Sequence, residues 1–144
     1  MNPLDMPPVL MQSTGFLLGR AAAVARDDFR ARLTTHGINA KHYTVLCYLA
    51  ERGPQSQTAI GSALALDRTT MVLLIDELEK IDAVERGHDA NNRRAYLVDV
   101  TPAGRKLLTR LVRAATSSDR AIQSALNDKE AAQLHALLLR LVGA

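Results

Sequence analysis

A mainly α-helical fold carrying one small β-hairpin is what this sequence predicts, on three observations. Apolar residues recur at spacings of three and four through most of the 144 residues. After Ala83 that period shortens towards two, with Tyr96, Val98 and Val100 alternating with Ala95, Leu97 and Asp99. Composition agrees: 47% of residues are hydrophobic but only 3% are aromatic, and Trp is absent. The apolar material is mostly Ala, Leu and Val, which suits helices packed on helices.

Taken in order, each element has a local signature. Pro7-Pro8 precedes a long helix with Leu18, Ala22, Ala25, Phe29 and Leu33 along one face, stopped at Gly37, a natural left-handed cap. Asn39 caps a second helix carrying Tyr43, Leu46, Cys47 and Leu49, which ends at Gly53-Pro54. Ser56 opens a short helix expected to turn Ile60, Ala63 and Leu64 inward. Asp67 caps a longer one expected to bury Val72, Ile75, Leu78 and Ile81. Val84 to His88 is the expected partner of the strand ending at Val100. Thr101 then caps a helix with Pro102 at its first position, where a missing N–H costs nothing. That helix carries Leu107, Leu108, Leu111 and Ala115 and is expected to reach Leu126. Asn127 and Glu130 form a capping box for a last helix bearing Leu134, Leu137, Leu138 and Leu141.

A short helix, a turn, a second helix opening with small polar and basic residues, and a basic hairpin together describe a winged helix-turn-helix. The expected organisation is a single unit over residues 1–144. Residues 39–100 would form the DNA-binding lobe, and residues 1–38 and 101–144 a helical dimerisation region. A small lobe cannot bury the apolar stripes of the terminal helices. Those helices are therefore expected to pack together and against a second copy. A two-fold dimer would present two recognition helices to a pseudo-palindromic site.

The residues expected to meet double-stranded DNA follow from that layout. The second helix of the pair opens Asp67-Arg68-Thr69-Thr70-Met71. Arg68 suits a bidentate contact to guanine or a phosphate contact; Thr69 and Thr70 suit phosphates, bases or thymine methyls, and Met71 shares the same turn. Ser56, Gln57 and Thr58 open the preceding helix and suit backbone phosphates. In the hairpin turn, one of Arg93 and Arg94 is expected to pair with Asp89 and stiffen the wing, leaving the other to reach a minor groove. Arg86 suits phosphates from the first strand. A net charge of +3 permits nucleic acid, and its distribution says more: Arg86 to Arg113 holds seven Lys and Arg against two acids. The acidic cluster of Asp76, Glu77 and Glu79 reads as a solvated helix face.

Other classes fare poorly. The single cysteine cannot form an internal disulfide, no apolar run is long enough to span a bilayer, and no basic leader opens the chain. A cytoplasmic location is expected. Four scattered histidines give no zinc spacing. There is no Gly-rich phosphate loop, nucleophile elbow or zinc-protease helix, so neither an enzyme nor a cofactor is expected.

The block from Leu78-Glu79-Lys80 through Val84-Glu85-Arg86 to Asp89…Arg93-Arg94 and Thr101-Pro102-Ala103-Gly104 resembles the MarR family, the multiple antibiotic resistance regulators. The resemblance covers nearly the whole chain. Two departures stand out. Asn92 replaces the second Asp of the family's Asp-x-x-Asp-Arg-Arg wing, and Ala83 stands for the usual Gly before the first wing strand. The resemblance implies a homodimeric repressor of a palindromic operator, released by a small, often aromatic or phenolic ligand. On that reading a ligand would lie where the first two helices meet the lobe. Arg20 is then a candidate partner for a carboxylate, with His42 and Tyr43 for a phenol, and Cys47 nearby. Relatives that sense peroxide carry their cysteine near the start of the first helix. Cys47 instead sits midway along the second, among Val45, Leu46 and Leu49, and is expected to be an inert packing residue. The competing reading is a winged helix used as a protein-interaction module, against which the basic wing argues.

Overall fold

The structure, a computed structural model, describes residues 6–143; the outermost residues of the expected dimerisation region lie outside the described residues. The helices are α1 (Pro8–Met11), α2 (Thr14–Thr34), α3 (Ala40–Arg52), α4 (Gln57–Leu64), α5 (Arg68–Lys80), α6 (Pro102–Ile122) and α7 (Asp128–Val142). The strands β1 (Val84–Asp89) and β2 (Asn92–Val100) stand between α5 and α6. The chain divides into two compact units, one of residues 33–114 and one joining residues 1–32 to 115–144.

The continuous unit holds the buried apolar core. Leu33, Val45, Leu46, Leu49, Ile60, Ile75, Leu78, Val98 and Leu111 are each 0% exposed. Asn39 caps α3, its side-chain oxygen accepting the N–H groups of Lys41 (2.9 Å) and His42 (3.1 Å). Ser56 caps α4 through the Ala59 N–H at 3.1 Å, and Asp67 caps α5 through the Thr70 N–H at 2.9 Å. Between α4 and α5 the chain reverses through Ala65, left-handed at φ 53°.

The inward face of α5 differs from the one expected. Met71, Leu74, Ile75 and Leu78 are buried, while Val72 and Ile81 are 39% and 46% exposed. Residues nine apart on a helix lie about 180° apart around its axis, so Val72 and Ile81 cannot share a face. Met71, Leu74, Ile75 and Leu78 follow one another at three, one and three residues, which keeps them on one side. On α4 the inward residues are Ile60 and Gly61, and Ala63 is exposed.

β1 and β2 pair antiparallel from Val84↔Val100 to His88↔Tyr96, then slip to Asp89↔Asn92. The slip leaves Arg93, Arg94 and Ala95 out of the ladder, as a bulge does. The rings of His88 and Tyr96 lie 4.7 Å apart at the last regular pair. Gln55 adds a third contact, exchanging both backbone hydrogen bonds with Val98 at 3.0 and 2.8 Å.

At the junction before β1 Asp82 is left-handed (φ 57°), and Ala83 after it is 1% exposed and belongs to the core. Thr101 ties this junction to α6. Its hydroxyl donates to the Asp82 carbonyl and accepts the Gly104 N–H at 2.9 Å, capping the helix as expected. A Cβ on Gly104 would stand 1.9 Å from the Ala83 carbonyl oxygen, so only glycine fits.

In the discontinuous unit no described apolar residue is buried. Leu134, Leu137, Leu138 and Leu141 on α7 are 37%, 44%, 38% and 68% exposed. Asn127 and Glu130 form the expected capping box, at 3.0 and 2.9 Å. α6 stops at Ile122 rather than Leu126, because residues 123–126 turn to present Asn127 as that cap. Arg32 Nε donates to Asp28 Oδ2 at 2.7 Å, and this guanidinium is the chief reason the Asp28 carboxyl sits below the usual carboxylate range. No single described helix is long and apolar enough to cross a membrane.

Candidate nucleic-acid interface

Within the continuous unit, α4, α5 and the β1–β2 hairpin bring most of the expected contact residues to the surface. Arg68 and Thr69 are exposed at the first turn of α5, and Thr70 is half-buried. Thr70 is also occupied, its hydroxyl donating to Asp67 Oδ2 while its N–H meets Oδ1. These two bonds, the hydroxyl's first, hold the Asp67 carboxyl below its ordinary range. Met71 is 2% exposed and faces the core, so it cannot reach a base; Val72 and Leu73 take the outward places beside it. Thr58 is exposed, and Ser56 and Gln57 are half-buried at the start of α4. A cleft of about 550 Å³ runs between the two helices, lined by Thr58, Ser62, Leu66 and Arg68 among others.

Arg86 has a different role from the one expected. Its guanidinium donates to Asp76 at 2.6 Å, to Gln57 Oε1 at 3.1 Å, and to Glu79. Its backbone N–H also meets Glu79 Oε1 at 3.1 Å. Arg86 therefore fastens the wing strand to α5 and α4, each of its three side-chain nitrogens engaged by a neighbouring side chain. The acids are not a freely solvated face either: Asp76 and Glu79 hold Arg86, and Glu77 Oε2 lies 2.8 Å from His42 Nε2. With those carboxylates engaged, the exposed cations at the α5 start and wing tip are Arg68, Arg93 and Arg94, beside the capping carboxylate of Asp67.

At the wing tip, Asp89 accepts the Asn91 N–H at 2.9 Å and Asn92 Oδ1 accepts the Arg94 N–H at 3.1 Å. Asp89 thus stiffens the turn by capping it. Among the described residues no ion pair joins it to either arginine, contrary to expectation, because the register slip carries both out of the ladder. Arg93 and Arg94 are both exposed.

Three of the expected ligand residues, His42, Tyr43 and Cys47, lie on α3. His42 is 5% exposed and is spent on structure: Nδ1 accepts the Asn39 N–H at 3.1 Å and Nε2 faces Glu77. Tyr43 and Cys47 lie one turn apart on α3, both half-buried. Burial pushes the Cys47 thiol up, opposed by a hydrogen bond with Tyr43, so thiolate is scarce. Arg20 is exposed and belongs to the other unit. A concavity not foreseen from the sequence, of about 500 Å³, is lined by Ala50, Arg105, Leu108, Thr109, Val112 and Arg113. Its residues come from two helices far apart in sequence, which no local pattern could reveal.

A helix-turn-helix whose second helix opens outward beside a two-stranded hairpin defines the class: a winged helix-turn-helix protein. The profile of the MarR family matches residues 38–96. A putative transcriptional regulatory protein for the hcr operon of Thauera aromatica is 32% identical over 128 residues, 88% of this chain and 77% of that protein. The chain belongs to the MarR family. Its fold matches the crystal structure of a probable transcriptional regulator from Pseudomonas aeruginosa, with TM-score 0.78 and 30% identity, covering 92% of this chain and 98% of that one. It also matches the structure of Bordetella bronchiseptica BpsR, whose DNA binding is regulated by 6-hydroxynicotinic acid (TM-score 0.76, 28% identity, 92% and 95% covered).

Proposed function

We propose that this protein is a homodimeric transcriptional repressor that binds a pseudo-palindromic operator and is released from it by a small aromatic ligand. One observation carries the DNA-binding step. Arg68 and Thr69 at the start of α5 and Arg93 and Arg94 on the wing are exposed, while Arg86 engages the acids Asp76 and Glu79. A helix N-terminus with a cationic wing beside it suits a major groove and its neighbouring minor groove. Residues 39–100 would hold the reading surface, within the continuous unit 33–114, and residues 1–38 and 101–144 would supply the dimerisation surface. The exposed leucines of α7 support a second copy as their cover, since monomers seldom leave such a stripe in water. Ligand release is supported by the likeness to BpsR. It is also supported by the concavity holding Arg105 and Arg113 beside Leu108 and Val112, where a carboxylate and an apolar ring would both find partners. Release would follow if the ligand favours a dimer whose recognition helices no longer match successive grooves.

Fluorescence anisotropy with the DNA upstream of the protein's own gene, against a scrambled duplex, tests this. Tight binding to the upstream DNA alone, at one dimer per site, is expected. Arg93→Ala and Arg94→Ala are each expected to weaken it by about 1–3 kcal/mol. Unchanged affinity in both variants removes the wing from the interface. An affinity that ignores salt removes DNA as the partner.

A further inference from the structure

We infer that Val72 and Leu73, on the outward side of α5, read the C5-methyl groups of thymines in the operator; this rests on the DNA-binding reading above. The helix carries two stripes of the same spacing. Met71, Leu74, Ile75 and Leu78 face the core, at 2%, 3%, 0% and 0% exposure. Thr69, Val72, Leu73 and Asp76 stand at the matching positions on the other side and, with Arg68, line one shallow concavity. Val72 and Leu73 are 39% and 55% exposed, at its centre. An outward stripe usually carries polar residues, so two adjacent branched aliphatic side chains there need a partner.

The surroundings say what kind of partner. Arg68 stands at one end of the pair. At the other, Asp76 is held by Arg86 at 2.6 Å, so its charge is already met. The exposed wing arginines, Arg93 and Arg94, add further positive charge in the same unit. A small apolar centre with Arg68 at its edge fits a polyanion that carries apolar groups of its own. The thymine methyl is the apolar group that base edges present in the major groove. A protein partner would favour a broader patch with aromatic residues, and α5 has none. An α-helix is about as wide as the groove, which brings residues of its first two turns to the base edges. Arg68 and Thr69 would then supply hydrogen bonds while Val72 and Leu73 supply methyl contacts, giving half-sites that require thymine at defined places.

The test uses the full chain and a duplex it selects from a pool with a randomised centre. Each thymine of that duplex is replaced singly by deoxyuridine, which pairs identically and lacks only the methyl. At one or more positions the wild type is expected to lose about fourfold in affinity, the worth of one buried methyl. Val72→Ala or Leu73→Ala should bind the thymine duplex more weakly and show almost no further loss on that replacement. Leu73→Met, which keeps an apolar tip, should retain the discrimination. Indifference of the wild type to every replacement overturns the inference. So does an equal loss in both alanine variants, which would mean that DNA shape is being read. If the wild type selects no duplex even at low salt, the DNA-binding reading fails and takes this inference with it. That result differs plainly from selection without methyl discrimination. Both residues are exposed, so the alanine variants should keep the wild-type melting curve.

Discussion

Asp67 shows how much one capping residue settles. Its carboxylate accepts the N–H and the hydroxyl of Thr70, fixing the first turn of α5 and with it the direction in which Arg68 and Thr69 leave the surface. Those bonds depress its pKa in the folded chain. A depressed carboxyl stabilises the fold above its unfolded value of about 4 and loses that contribution as pH falls through the folded value. Melting curves across a pH series should therefore separate wild type from Asp67→Ala most widely at neutral pH, and the gap should narrow as pH falls below about 4. Asp67→Asn should keep the cap and flatten this acid limb; an unchanged limb would place the titration elsewhere. Such caps were legible in the sequence, because Asn39, Ser56, Asp67, Thr101 and Asn127 act on residues two or three places away. Arg86 was not, because its side-chain partners lie 7, 10 and 29 residues distant. Nor was the choice between Met71 and Val72. Neighbours on a helix differ by about 100° in direction, and the packing of α3 and β1 against α5 selects one of them.

Among the elements, α5, β1 and α6 meet at a tight junction. The start of α6 approaches Ala83 so closely that a methyl on Gly104 would collide with a carbonyl oxygen and with Val100 Cγ1. Side-chain rotation cannot relieve a clash with backbone. Gly104→Ala is thus expected to cost about 3 kcal/mol, read as a lower urea midpoint with an unchanged slope. A cost near zero would mean that α6 is free to slide along the hairpin. The sequence reveals the glycine but not its reason, since the contact joins residues 21 apart. The wing is the converse case. Alternation from Ala95 to Val100 foretold a strand, and β2 is one, yet nothing local marked the slip at Asp89 that frees Arg93 and Arg94 from the ladder.

At the scale of the whole molecule, the sequence made the helical class and the hairpin legible because both rest on periodicity. It also indicated that the terminal helices lack a complete core of their own, and the exposure of Leu137, Leu138 and Leu141 bears that out. What covers them can be measured. Light scattering should give twice the chain mass for the wild type. Leu138→Arg should shift it towards the monomer and weaken operator binding about a hundredfold, since two lobes would no longer act together. A monomeric wild type that still bound DNA tightly would end the dimer proposal. The division of the chain also governs how it is made. Residues 33–114 are contiguous, so the lobe can fold as soon as they clear the ribosome. The other unit joins residues 1–32 to 115–144 and cannot close until synthesis has passed both. On the proposed reading, a chain arrested in between would carry its reading head before it had the means of pairing it.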